Sequence, residues 1–64
     1  MTRFKSLSKI ERIETLSILA TAIENGLREH ELVTIAERYI YNAFGKRAGI
    51  SELAGLAFEA ERKA

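Results

Sequence analysis

Apolar side chains recur at intervals of three and four residues in three stretches of the chain, and this spacing is typical of amphipathic α-helices. The predicted helices are residues 9–25, 30–44 and 52–63. Ser8 and Glu11 form the S-x-x-E pattern of a capping box, which predicts the first helix start. Gly26 and Gly45 follow the first two helices, where glycine commonly ends a helix. Ser51 is the predicted N-cap of the third helix.

Each predicted helix has an apolar stripe that would face a shared core. The stripe of the first helix is Ile13, Leu16, Leu19, Ala20 and Ile23. The stripe of the second is Leu32, Ile35, Ala36, Tyr39, Ile40 and Ala43, and that of the third is Leu53, Leu56, Ala57 and Ala60. No stretch alternates in the strict two-residue pattern of a strand. The pattern predicts an all-α fold, a compact three-helix bundle forming one domain over residues 1–64, with residues 1–7 as an N-terminal arm.

Several apolar or small residues lie outside these stripes, and we interpret them as candidate contacts for a protein partner. They are Ile18, Tyr41, Ala54, Gly55 and Phe58. In the first helix, Ile18 and Ala22 lie on a side that also carries the polar Thr15. Single apolar residues are common on monomer surfaces, and a helix flanked on two sides can bury most of its circumference. The sequence therefore leaves open whether these residues are surface anchors or core.

The chain has 64 residues and no Cys, so no disulfide stabilises it. With 47% hydrophobic and 30% charged residues, the composition is that of a folded domain. Chains of this size have little net stability from one core and often gain stability by association. We therefore expect a homodimer, joined through Phe58 with the small residues Ala54 and Gly55 beside it.

The inventory of reactive side chains argues against an enzyme. All nine acidic residues are Glu, and there is one His and no Cys. A catalytic site needs a nucleophile with a base, a pair of acids with different pKa values, or a metal. His30 has no second His at a metal-ligand spacing, which favours a solvent-facing turn residue. We expect no catalytic residues, no cofactor, no metal and no small-molecule substrate.

A net charge of +1 gives little long-range attraction for nucleic acid, so any such contact must come from local clusters. Lys46 and Arg47 lie in a loop bounded by glycines, and Arg3 and Lys5 lie in the N-terminal arm. These four residues are the candidate contacts for an anion or for phosphates. The third helix begins with Glu52 and offers no side chain suited to reading bases, which argues against sequence-specific binding.

No stretch of the sequence approaches the roughly 20 apolar residues of a membrane span, and the N-terminus does not resemble a signal peptide. We therefore expect a cytoplasmic protein without a membrane partner. The leading hypothesis is a non-catalytic protein–protein interaction module that acts as an inhibitor, adaptor or regulatory subunit by occupying a partner's surface. The alternative is a dimeric nucleic-acid-associated regulator that contacts phosphates through the basic loop and the N-terminal arm.

Overall fold

The computed structural model describes residues 6–63, which form three α-helices and confirm the predicted all-α, three-helix fold. The helices are α1 (Lys9–Glu24), α2 (His30–Phe44) and α3 (Ile50–Lys63). The principal extents are 35 × 21 × 18 Å. The predicted bounds of α2 are confirmed, whereas α1 ends one residue before the prediction and α3 begins two residues before it.

The predicted capping box at the start of α1 is present. The Glu11 backbone N–H donates to Ser8 Oγ at 3.2 Å, and the Ser8 backbone N–H donates to Glu11 Oε1 at 2.9 Å. These two bonds satisfy backbone donors that a helix N-terminus leaves free.

The start of α3 differs from the prediction, and Ser51 as its N-cap is wrong. The Leu53 backbone N–H donates to the carbonyl of Gly49 at 3.0 Å, so the first helical turn runs from Gly49 to Leu53 and includes Ser51. Ile50 is therefore already helical, and Ser51 lies exposed inside the first turn. The residue before the helix is Gly49, which has no side chain to form the cap that the sequence pattern favoured.

Side-chain contacts define the directions of the helices. Arg12 Nη2 lies 3.0 Å from Glu52 Oε2, which joins the beginning of α1 to the beginning of α3. Ala20 and Lys63 line one groove near the other ends of the same two helices. α1 and α3 therefore run in broadly the same direction, α2 runs against both, and each helix packs on the other two.

The core lies along the axis between the helices. Its largest fully enclosed side chains are Leu19, Leu32, Ile40, Leu56 and Thr15. The predicted stripe of α3 is confirmed in full, since Leu53, Leu56, Ala57 and Ala60 are all buried. In α2, the buried residues Leu32, Ala36 and Ile40 form the centre of the predicted stripe, with Ile35 and Tyr39 half-buried beside them. Ala43, predicted to be core, is exposed at the end of that helix.

The predicted core face of α1 is partly wrong. Leu19 and Ile23 are buried as expected, but Ile13 and Ala20 are exposed, and Thr15 and Ala22 take their places in the core. The burial of Thr15 costs little because its hydroxyl donates to the carbonyl of Glu11 at 2.8 Å, within the same helix. Apolar side chains lie nearly all round this helix, so the helix has two apolar faces and only one of them is buried.

The end of the predicted N-terminal arm belongs to the core. Leu7 is buried and packs in the same cluster as the helix side chains. Residues 1–5 of the arm lie outside the described residues. The arm therefore has at least one structural contact, immediately before the cap of α1.

The turn between α1 and α2 contains a strained residue. Glu29 has φ 56° and ψ −124°, a conformation that glycine adopts far more readily than residues with a Cβ. Its side chain makes no capping hydrogen bond that would offset this cost.

Replacing Glu29 with Gly should stabilise the protein. Removing the Cβ relieves the backbone strain in the folded state. Glycine also makes the unfolded chain more flexible, which offsets part of this stabilisation, so the free energy of unfolding should rise by about 1 kcal/mol. Urea unfolding followed by circular dichroism measures the change. Glu29→Ala is the control, because it removes the carboxylate but keeps the Cβ. Equal effects of the two variants would show that strain is not the cause.

Candidate interaction surfaces

The predicted partner-binding residues all lie on the surface. Phe58 is 64% exposed, Tyr41 is 58% exposed, and Ala54 and Gly55 are also exposed. Ile18 is 37% exposed, so most of its side chain is covered. Their role in binding a partner stays a prediction, because exposure does not identify an occupant.

These residues do not form one continuous site. Ala54, Gly55 and Phe58 share the outward face of α3, opposite the buried face that contains Leu53 and Leu56. Tyr41 lies on the outward face of α2 and contributes to a different surface. Three helices that each turn one side inward must turn their opposite sides in three directions. The sequence could identify off-stripe residues but not which of them would meet.

One groove, which we call the basic groove, unites Tyr41 with the loop after α2. It has a volume of about 210 Å³ and is lined by Glu37, Arg38, Tyr41, Asn42, Lys46 and Arg47. The interaction hypothesis used Tyr41 as an anchor and the basic loop for orientation, and the structure brings the two together in one groove. Arg3 and Lys5, the other predicted anion contacts, lie outside the described residues.

Lys46 has a structural partner within the chain. Its Nζ lies 2.6 Å from Glu11 Oε1 and donates to the carbonyl of Ser6 at 3.5 Å. The loop after α2 is thereby joined to the capped start of α1. The charge of Lys46 is already compensated by Glu11, whereas neither Arg38 nor Arg47 forms an ion pair with a carboxylate of residues 6–63. Within residues 6–63, the two arginines are therefore the cations of the basic groove whose charge no carboxylate compensates. They are the residues of this groove best suited to bind an acidic or phosphate ligand.

The hydrogen bond from Lys46, together with the backbone N–H of Ser8, lowers the pKa of Glu11 below its ordinary value of 4.5. A carboxylate whose pKa is lower in the folded than in the unfolded state stabilises the fold above the unfolded value. That contribution is lost as the pH falls from about 4.5 through the lowered pKa. Glu11 is therefore expected to contribute to the acid sensitivity of the fold.

Glu11→Gln should flatten the acid side of the stability profile. The parent protein should lose stability steadily below pH 4.5, and the variant should lose less over the same interval, because it lacks a group that binds a proton on unfolding. Urea midpoints measured at a series of pH values test this. Lys46→Met should flatten the same interval by removing the principal cause of the shift, and an unchanged slope in both variants would contradict the assignment.

A second groove, which we call the apolar groove, lies between α1 and α3. It has a volume of about 260 Å³ and is lined by Ile13, Leu16, Ser17, Ala20, Ala60 and Lys63. Ile13 projects into solvent at its edge with 56% of its surface exposed. This surface was not predicted from the sequence, because Ile13 and Ala20 were assigned to the core. The distribution of apolar residues around all sides of α1 was the signal that a second apolar face exists.

The reactive side chains of the described residues are dispersed. His30 is exposed at the first position of α2, and its carbonyl accepts a hydrogen bond from Thr34 Oγ1 at 3.1 Å. Between residues 6 and 63, no three His or Glu side chains are grouped in a way that would hold a metal ion. No helix in this range is long and apolar enough to cross a membrane.

The chain has no significant similarity to a known protein family, to a curated protein or to a solved structure. A function must therefore be inferred from the two grooves and from the outward face of α3.

Proposed function

We propose that this chain is a small non-catalytic protein–protein interaction module, which acts as an inhibitor, adaptor or regulatory subunit by occupying a partner's surface, and which also self-associates. One observation carries the proposal: large apolar side chains remain exposed around a core that is closed without them. Tyr41 and Phe58 are the largest of these, and Ile50, at the first position of α3, is 71% exposed.

The free energy gained by burying apolar surface favours these residues as contacts for a partner. Burying one large apolar side chain against a partner contributes about 1.5–3 kcal/mol, and aromatic residues are over-represented among interface hot spots. Ala54 and Gly55 beside Phe58 offer little steric hindrance to an approaching backbone. In the basic groove, the arginines would orient a partner that carries acidic residues near its own contact surface.

Affinity capture from the native host with a tagged chain tests the proposal. The parent chain should retain a specific protein after nuclease treatment, and the variant Tyr41→Ala plus Phe58→Ala should lose it because both aromatic anchors are gone. The control is Thr34→Ala plus Ser51→Ala, which changes exposed positions on the same two helices. Retention of the same protein by the aromatic variant would refute these residues as the binding site.

The alternative, a nucleic-acid-associated regulator, is favoured by one feature of the basic groove. Tyr41 offers an aromatic face for a base, and Arg38 and Arg47 lie in the same groove, where they would contact phosphates. The structure changes which residues should be tested. Lys46 already pairs with Glu11, so its replacement would also disturb the fold.

Fluorescence anisotropy with labelled single-stranded and duplex oligonucleotides at low salt tests the alternative. If it is correct, binding should weaken at moderate salt and in the variant Arg38→Glu plus Arg47→Glu. Arg28→Glu plus Arg62→Glu is the control, since it makes the same change in net charge at exposed arginines elsewhere. Equal losses in both variants would indicate non-specific attraction, and no binding at low salt would eliminate the alternative.

A further inference from the structure

The outward face of α1 forms a strip with opposite charges at its two ends. Lys9 is the first residue of the helix and Glu24 is the last, and both side chains are exposed. Neither forms an ion pair with any other residue of the range 6–63. Between them lie the residues that α1 contributes to the apolar groove, with Ile10 adding a further exposed apolar side chain one turn before Ile13.

This strip is self-complementary when two copies of α1 lie antiparallel. With a two-fold axis between Leu16 and Ser17, Lys9 of each copy faces Glu24 of the other, and Ile13 faces Ala20. In the same register Leu16 faces Ser17, so at both central contacts a large side chain lies against a small one. The helix dipoles favour the same arrangement. Lys9 of each copy lies near the C-terminus of the other helix, and Glu24 lies near its N-terminus.

The walls of the apolar groove fit the same arrangement. Near Ala20 the groove is bounded by Ala60 of α3, so small side chains leave room for a branched side chain from outside. Ile13 of a second copy would lie there. Lys63 at the edge does not oppose the approach of Lys9, because its Nζ lies 3.2 Å from Glu59 Oε2 and its charge is compensated.

We infer that the apolar groove and the outward face of α1 are a homodimer interface, occupied by the same face of a second copy in antiparallel orientation. This inference deepens the self-association in the proposed function and moves the interface from the Phe58 face of α3 to α1. A single helix face with one groove is small beside the roughly 1,600 Å² of a standard interface, so the dissociation constant should lie between about 10 µM and 1 mM.

Sedimentation equilibrium over that concentration range measures the dimer. The mass should rise from 7.2 kDa towards twice that value. Ile13→Glu should raise the dissociation constant roughly 100-fold or more, because it buries an unpaired carboxylate in the apolar centre of the interface. Phe58→Glu is the matched control, since it places the same charge at a similarly exposed position on α3 and should leave the dimer intact. Circular dichroism confirms that each variant is folded.

A charge exchange tests the register without altering the apolar centre. Lys9→Glu and Glu24→Lys should each weaken the dimer about tenfold, because each sets like charges opposite each other at two symmetric contacts. An equimolar mixture of the two variants should restore association, since every facing pair is then of opposite charge. A parallel pairing would instead bring Lys9 against Lys9 and Glu24 against Glu24 already in the parent, so neither single variant would then weaken the dimer.

Three results would overturn the inference, and they differ in what else they affect. A 7.2 kDa particle at about 1 mM would exclude the dimer, while binding to another protein would still be decided by the capture experiment. If Phe58→Glu breaks the dimer and Ile13→Glu does not, the chain self-associates through α3 and not through α1. If Ile13→Glu breaks the dimer but neither Lys9→Glu nor Glu24→Lys weakens it, the interface face is retained and the antiparallel register is rejected.

Discussion

Leu56→Ala is expected to leave the chain largely unfolded at room temperature. Leu56 is fully enclosed in α3, within the core that all three helices share. Truncation of an enclosed leucine removes its transfer free energy and leaves a cavity, at a cost of about 2–5 kcal/mol. A single core in a chain of this size rarely supplies more than about 3–5 kcal/mol in total. Loss of the helical signal in circular dichroism, or a collapse of the urea midpoint, is the expected observation.

Phe58→Ala is the control for this prediction. The two residues lie two positions apart in the same helix and both lose a large apolar side chain, but Phe58 lies on the outward face. Substitutions at exposed positions without special contacts change the free energy of unfolding by about 0.5 kcal/mol or less. If Phe58→Ala destabilised the protein as much as Leu56→Ala, the burial pattern of α3 described above would be wrong.

Ala36→Leu is expected to destabilise the protein by about 1–3 kcal/mol, although it adds apolar surface and keeps a strong helix former. Ala36 is completely enclosed at the centre of the buried face of α2, between Leu32 and Ile40. Three further carbons at this point must displace a neighbouring helix or force side chains out of their preferred rotamers. The free energy of unfolding in urea measures the loss.

Ala43→Leu separates packing from hydrophobicity. It is the same substitution in the same helix, at an alanine that is exposed. It should change the free energy of unfolding by about 0.5 kcal/mol or less, because nothing has to move to accommodate the added carbons. A stabilising Ala36→Leu would mean that the space around Ala36 is not filled.

How far the sequence predicts this fold depends on how unevenly the apolar residues are distributed around each helix. In α2 and α3 most of the apolar residues fall on one side, so Leu32, Ala36 and Ile40, and likewise Leu53 and Leu56, were assigned correctly. The period alone was sufficient to assign the buried faces there, because only one rotation of each helix buries most of its apolar residues.

In α1 the same reasoning was insufficient, because apolar residues surround the helix. Two rotations bury similar amounts of apolar surface, and the choice between them depends on the neighbouring helices. The structure buries Thr15 and Ala22, whose small side chains allow close approach, and leaves Ile13 exposed. Thr15 can be buried because its hydroxyl donates a hydrogen bond within its own helix. Its position in the sequence alone does not distinguish it from a polar surface residue.

The candidate surfaces were predictable residue by residue but not as arrangements. The sequence identified Tyr41 and Phe58 as lying outside the stripes but left open whether they are surface or core, and the structure exposes both. The contact between Lys46 and Glu11 spans 35 positions in the sequence and depends on how α1 packs beside the end of α2. Distant pairs of this kind are set by tertiary geometry, which a periodic pattern does not encode.

We propose that the fold does not need its exposed apolar residues and that these residues serve partners. The most direct measurement is urea unfolding of the triple variant Tyr41→Ser, Ile50→Ser and Phe58→Ser, at a few micromolar so that association does not contribute. Serine is close to all three residues in helix propensity, so the comparison isolates their packing. The account predicts cooperative unfolding with a free energy within about 1 kcal/mol of the parent protein. A loss of about 3 kcal/mol or more, as expected for Leu56→Ala, would contradict it.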